Sequence, residues 1–173
     1  KNEIASSYIK ELLAKEAGKP IEKQYALAET LKALFETFFP NKKFLGAQAT
    51  LEGTMIFPVR IGDDDSHDID DLSAGEKEII YGYLRLKNSV PTNSIILMDE
   101  PELHLNPKLT RALPEFYRKN LGEEIGNQIW LVTHSDALLR EVVGKDNYGV
   151  YHITPSYAIS PEQNQITELT AND

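Results

Sequence analysis

Apolar residues recur at helical spacing along the first forty positions. Ile4, Tyr8, Ile9, Leu12 and Leu13 predict a helix over 3–17, broken by Gly18-Lys19-Pro20. Tyr25, Leu27, Leu31, Leu34, Phe35 and Phe38 predict a second over 21–38, closed by Pro40. Its aromatic face reads as core packing. From 43 to 61 the period shortens to two. Phe44, Leu45, Ala47, Ala49 and Leu51, then Met55, Phe57, Val59 and Ile61, read as two strands joined by a turn at Glu52-Gly53-Thr54. Further on, helices over 74–88, 107–120 and 135–143 alternate with strands over 94–99, 128–133 and 148–153, and a short edge strand is expected at 165–169. That alternation predicts an α/β fold with a largely parallel sheet flanked by helices.

Composition narrows the reading. The 173 residues, 41% hydrophobic, suffice for one core. There is no cysteine, which excludes disulfides and Cys-ligated metals. No apolar run approaches the roughly 20 residues that cross a bilayer, and no leader pattern opens the chain. A cytoplasmic protein without a membrane partner is the expectation. The net charge is −9, and it is unevenly spread: residues 1–60 hold 9 basic and 7 acidic residues, the remainder 9 and 20. Phosphate contacts need Lys and Arg, so the acidic part is a poor general surface for nucleic acid. Asp63, Asp64, Asp65, Asp68, Asp70 and Asp71 read as a solvated loop, since they lack the spacing of a calcium loop.

Four segments carry chemistry. In Ile95-Ile96-Leu97-Met98-Asp99-Glu100 an apolar, buried strand ends in two acids, and ligands bind at that end of open α/β sheets. There Asp99 suits a Mg²⁺ that bridges nucleotide phosphates, and Glu100 suits the general base for an attacking water. Upstream, Leu72-Ser73-Ala74-Gly75-Glu76-Lys77 has a cap residue and an acid three positions later. A capping box explains Ser73 and Glu76. It does not explain Gly75, which is costly in a first helical turn and useful where a phosphate approaches the backbone. Asn106 precedes Pro107, a cap followed by a good first helical residue. Finally, Ile129-Trp130-Leu131-Val132-Thr133-His134-Ser135 is an apolar strand with a histidine at its end. A neighbouring parallel strand would set His134 beside Glu100. His67, His104 and His152 are given no ligand role, and Gln24 and Gln48 read as structural.

Those four segments, in that order, resemble the ABC ATPase superfamily. Leu72–Lys77 resembles the signature motif, Ile95–Glu100 Walker B, Leu103–Asn106 the D-loop, and His134 the switch histidine. The wording LSAGEK, DEPELHLNP and THSDALL is closest to the AAA/ABC-like ATPases related to OLD-family, RecF and SMC proteins. The resemblance covers about residues 40–155. It implies ATP and Mg²⁺ as cofactors, held in a sandwich between two protomers of a homo- or heterodimer. Ser73 and Gly75 would then touch the γ-phosphate bound by the partner, and Glu76 and Asn106 count with them as nucleotide-binding residues. Asp99, as metal ligand, and Glu100 and His134, as catalytic groups, would serve the subunit's own nucleotide. DNA and an effector protein are the further partners it suggests, and DNA maintenance or defence the process.

The chain departs from the pattern in two places. No G-x-x-x-x-G-K-[S/T] occurs in it, and Asn106 stands where Asp is common. The expected organisation is a helical segment over 1–40, the end of an arm or insertion. The signature and Walker B half follows over 41–173, with the P-loop lobe missing and hydrolysis dependent on it. Two other readings are a non-catalytic regulatory or interaction lobe and the nucleotide-binding half of a transporter. An intact Asp99-Glu100 pair and His134 speak against the first, and the motif wording against the second.

Overall fold

A computed structural model describes residues 2–20, 26–62, 66–103, 105–158, 160 and 165–171. Tyr25, Gln24, the aspartates at 63–65 and His104 lie outside the described residues. The chain forms two compact units. The first comprises Lys1–Leu97 with Phe116–Trp130, the second Met98–Glu115 with Leu131–Asp173.

The first unit opens with α1 (Asn2–Glu16). Gly18, at φ 63°, ends it in a Schellman turn, with the Lys19 amide donating to Ala14 O and the Gly18 amide to Lys15 O. Next comes α2 (Leu27–Phe38), which buries Leu27, Leu31, Leu34, Phe35 and Phe38. Its start has no capping side chain of its own. Glu11, buried on α1, accepts from the Ala28 amide and from Lys15, so an acid 17 positions away satisfies the positive end of α2. Phe35 stacks on Phe44, and Phe38 meets Phe116 edge to face.

The two expected strands over 43–61 break into four short ones: β1 (Lys42–Phe44), β2 (Gln48–Ala49), β3 (Met55–Ile56) and β4 (Pro58–Ile61). A hairpin pairs β2 with β3 across a turn in which Gly53 adopts φ 79° and the Thr50 and Thr54 hydroxyls meet at 2.7 Å. Antiparallel β1–β4 extends to β5 (Ser66–Asp68), which the sequence reading took for loop. Asp68 is more than a solvated charge. It accepts from the Phe57 amide and caps the 3-10 turn Ile69–Asp71, which buries Ile69. Then α3 (Ala74–Ser89) buries Ile79, Ile80, Tyr83 and Leu84. Lys87 is buried with them. Its ammonium donates to Thr30 Oγ1 at 2.8 Å and lies 3.7 Å from Glu124. Burial pushes its pKa down, and the Glu124 charge opposes that shift.

β6 (Ile95–Asp99) and β7 (Gln128–Val132) pair with each other, and the chain passes from one unit to the other within each. The Gln128 amide donates to Ser94 O at one end and the Glu100 amide to Val132 O at the other, so the two strands run parallel. This is the one parallel pairing among the described residues. The other pairings among the described residues are antiparallel, so helices and strands of both senses make up a mixed α/β fold. Short connections favour hairpins, whereas the helical crossover between β6 and β7 permits parallel pairing. That crossover is α4 (Pro107–Tyr117), continued by a wider π-helical turn over Arg118–Glu123 instead of α-helix to 120. The second unit ends with α5 (Asp136–Val142), β8 (Tyr151–Ile153) and β9 (Ile166–Glu168). β8 and β9 pair antiparallel beside a core of Leu138, Val142 and Val150. Gly144, at φ 76°, packs so closely on Ala171 that a Cβ there would lie 2.7 Å from its side chain.

Candidate functional site

Ser73 takes an extended conformation and caps α3. Its hydroxyl oxygen accepts from the Glu76 amide, and the Glu76 carboxylate accepts from the Ser73 amide at 3.0 Å and from the Ser73 hydroxyl at 2.9 Å. Lys42 Nζ, on β1, lies 2.7 Å from the other Glu76 oxygen. Burial pushes the Glu76 carboxyl up, but the hydrogen bonds from Lys42 and Ser73 outweigh it, and the net pKa falls below the usual carboxylate range. Ser73 and Glu76 are thus brought together in a reciprocal cap of the kind that stabilises many helix starts. Gly75 stands in the same turn with nothing within 4 Å of where a Cβ would be. Open space in front of the backbone in the first turn of a helix is what an approaching anion needs.

A second group lies at the C-terminal ends of β6 and β7, in the second unit. Asp99 is exposed at the end of its strand. Glu100 follows with φ 45°, a left-handed conformation that a long side chain seldom adopts. The bend is held from both sides, by the Glu100 amide on Val132 O at 2.8 Å and the Leu103 amide on Glu100 O at 3.0 Å. It brings Glu100 Oε1 to 3.0 Å from His134 Nδ1, on the loop after β7. The histidine side chain is 78% exposed and the glutamate 36%. An acid and an imidazole at hydrogen-bond distance, open to solvent, can share a proton and orient a water. Among the described residues no group of three or more His, Asp and Glu could cage a metal ion. The exposed Asp99 still fits Mg²⁺, which takes one or two protein carboxylates and fills its octahedron with water and phosphate oxygens.

Asn106 is engaged locally. Its Oδ1 accepts from the Lys108 and Leu109 amides at 3.0 and 3.1 Å, so it caps α4. His67 sits on β5 opposite Val59, and His152 on β8 opposite Thr167. Two residues at this site escaped the sequence reading. Glu102 is buried and accepts from the Thr133 hydroxyl, and Thr133 Oγ1 accepts from the Ser135 amide at 3.0 Å. The signal available was an acid directly after Glu100-Pro101 and a hydroxyl directly before His134.

The buried strand expected at 95–99 is covered on one face only. Ile96 is buried, while Ile95 and Leu97 are 66% and 77% exposed, and on β7 Trp130 and Val132 are exposed in the same alternation. These four large apolar side chains on the strand pair have no covering layer among the described residues.

A family model described as "AAA domain, putative AbiEii toxin, Type IV TA system" matches residues 24–140. Over 71 residues the chain is 35% identical to Protein ea59 of Escherichia phage lambda, a match that takes in 41% of this chain and 13% of that protein. The chain therefore corresponds to a small part of that relative's length. Among solved structures it is similar to one from a study of ATP-driven dimerisation and DNA-stimulated activation of SMC ATPases. There the TM-score is 0.51, the identity 15% and the coverage 86% of each chain, a likeness of fold. The Smc head domain of Pyrococcus furiosus, with an extended coiled coil and bound to the C-terminal domain of ScpA, matches 86% of this chain and 37% of its own. That match has 14% identity and a TM-score of 0.44.

Proposed function

From the premise that the chain belongs to this AAA-domain family, with the α/β fold of an SMC ATPase head, we propose that it is the signature and Walker B half of an ATPase that hydrolyses ATP in a sandwich dimer. The observation that carries this reading is the Glu100–His134 pair at 3.0 Å, at the C-terminal ends of two parallel strands and next in sequence to an exposed Asp99. Glu100 accepts the proton of the attacking water. His134 holds the carboxylate in place and faces the γ-phosphate. Asp99 would hold Mg²⁺, which when bound would supply positive charge to the phosphate oxygens. Ser73, Gly75 and Glu76 present the start of α3 to the nucleotide of a second protomer, with Asn106 at the same interface.

Residues 1–173 contain no P-loop motif, so the β- and γ-phosphates are gripped by a lobe that this chain does not supply. The uncovered side chains of Ile95, Leu97, Trp130 and Val132 fit that requirement, because an added strand or helix would bury them. On this reading residues 1–40 are the end of an arm or insertion. No helix among the described residues is long and apolar enough to cross a membrane, in keeping with a cytoplasmic machine. DNA or an effector protein is what its ATP cycle acts on.

The test is ATP hydrolysis by the full-length native protein, with and without Glu100→Gln. The expected result is loss of turnover with ATP binding kept and a nucleotide-trapped dimer. Unchanged turnover removes Glu100 from its role. A native protein that neither binds nor hydrolyses ATP, with DNA present or absent, overturns the reading in favour of a non-catalytic lobe.

A further inference from the structure

His134 stands on a three-residue connection between β7 and α5, and its imidazole is mostly exposed. A histidine so placed has no packing to fix its direction. Backbone hydrogen bonds fix the strand before it, and the Ser135 side chain caps the helix after it, accepting from the Leu138 amide. What joins the two is Thr133. Its hydroxyl donates to Glu102 and accepts from the Ser135 amide at 3.0 Å, so it bridges the positions on either side of His134. Glu102 is 9% exposed and comes from the turn directly after Glu100. A carboxylate only accepts, which obliges the Thr133 proton to point at Glu102 and leaves a Thr133 lone pair for Ser135. Glu102 Oε2 is buried with no protein partner among the described residues.

We propose that Glu102 is a positioning residue, clamping Thr133 so that the loop between β7 and α5 holds His134 against Glu100. The clamp ties the two strand ends together through side chains, as the Glu100 amide on Val132 O ties them through the backbone. It rests on the reading of Glu100 and His134 given above, and it acts through them without touching nucleotide.

The experiment pairs two readouts on the full-length protein. The variants are Glu102→Ala, Thr133→Val, Thr133→Ser and the Glu102→Ala/Thr133→Val double. Hydrogen exchange by mass spectrometry over the peptide spanning 131–140 reports the clamp with no ATP needed. Steady-state ATP hydrolysis reports its consequence. Glu102→Ala and Thr133→Val each speed exchange in that peptide at least tenfold and lower kcat about 10- to 100-fold, with KM for ATP within threefold. Thr133→Ser, which keeps the hydroxyl, restores both. The double variant is no worse than Thr133→Val alone, because both singles remove the Glu102–Thr133 bond and Thr133→Val also removes the acceptor of the Ser135 amide. Faster exchange with unchanged kcat, or an equal loss for Thr133→Ser, overturns the positioning role. Unchanged exchange in both single variants overturns the clamp itself. If the native protein lacks ATPase activity, the reading of Glu100 falls, and the positioning role falls with it even where exchange reveals a clamp.

Discussion

The start of α3 and the ends of β6 and β7 were both picked out as nucleotide-facing, yet they are built on opposite plans. At α3 the polar groups that drew attention are engaged by the helix start. Ser73 and Glu76 satisfy each other, and Lys42 satisfies the remaining carboxylate oxygen. Local rules account for both residues, and only Gly75 is left over. At the strand ends local rules account for little. Glu100 sits at φ 45°, which is unfavourable by about 1–2 kcal/mol for a residue with a side chain. Its contact with a largely exposed His134 returns at most about 1 kcal/mol. One region is explained by stability and the other is not, so the second carries the stronger functional evidence.

The largest effect expected sharpens that contrast directly. Glu100→Gln should lower ATP turnover at least about 100-fold, the scale of a lost general base, while the melting temperature stays within a degree or two. Ser73→Ala should do the reverse in first instance. Losing the cap destabilises the fold by about 1 kcal/mol, readable as a lower denaturant midpoint with an unchanged slope. A Glu100→Gln variant that melts early, or a Ser73→Ala variant that melts like the native protein, would erase the distinction between the two regions.

Gly75 is the residue on which the α3 reading depends. The space beside it is open, so Gly75→Ala meets no neighbour and should stabilise the helix by up to about 1 kcal/mol. The same methyl group would stand where a partner's γ-phosphate approaches. The expected outcome is a protein that melts later, still binds ATP, and has lost nucleotide-dependent dimerisation by size-exclusion chromatography with light scattering. A more stable variant that dimerises normally would leave Gly75 without a functional role, and with it the signature reading of α3.

Most elements were legible in the sequence, and so was the meeting of Glu100 with His134. Helices α1 to α5 and strands β6 to β9 follow periodicities that run for several residues and end at Gly, Pro or capping positions. What stayed hidden depends on pairs far apart in the chain. Asp68 reads as one of six acids until the Phe57 amide is set against it. Nothing in the sequence around Glu11 points to its role until the Ala28 amide is set against it. Glu102 and Thr133 are 31 positions apart. The exposed side of Ile95 and Leu97 departs from the expectation of a buried strand for a related reason. A run of four apolar residues states that both faces are to be covered, not which chain does the covering.

The smallest expected effect is on pH, and it belongs to α3. Burial raises the Glu76 carboxyl, the hydrogen bonds from Lys42 and Ser73 lower it further, and the folded value lies beneath the ordinary 4.5. A carboxyl depressed on folding contributes stability above its unfolded value, and that contribution is lost as pH falls through the folded value. The capping box should therefore hold at neutral pH and weaken as pH drops below about 4.5. Thermal melts across that range should show the native protein losing stability more steeply than Glu76→Gln, which has no carboxylate there to protonate. Lys42→Met should lie between them, because it removes one of the groups that depress the value and leaves Ser73. Parallel pH slopes for all three would mean that Lys42 and Ser73 do not hold Glu76 in its charged form. The start of α3 would then lack the tight reciprocal cap that sets it apart from the strained ends of β6 and β7.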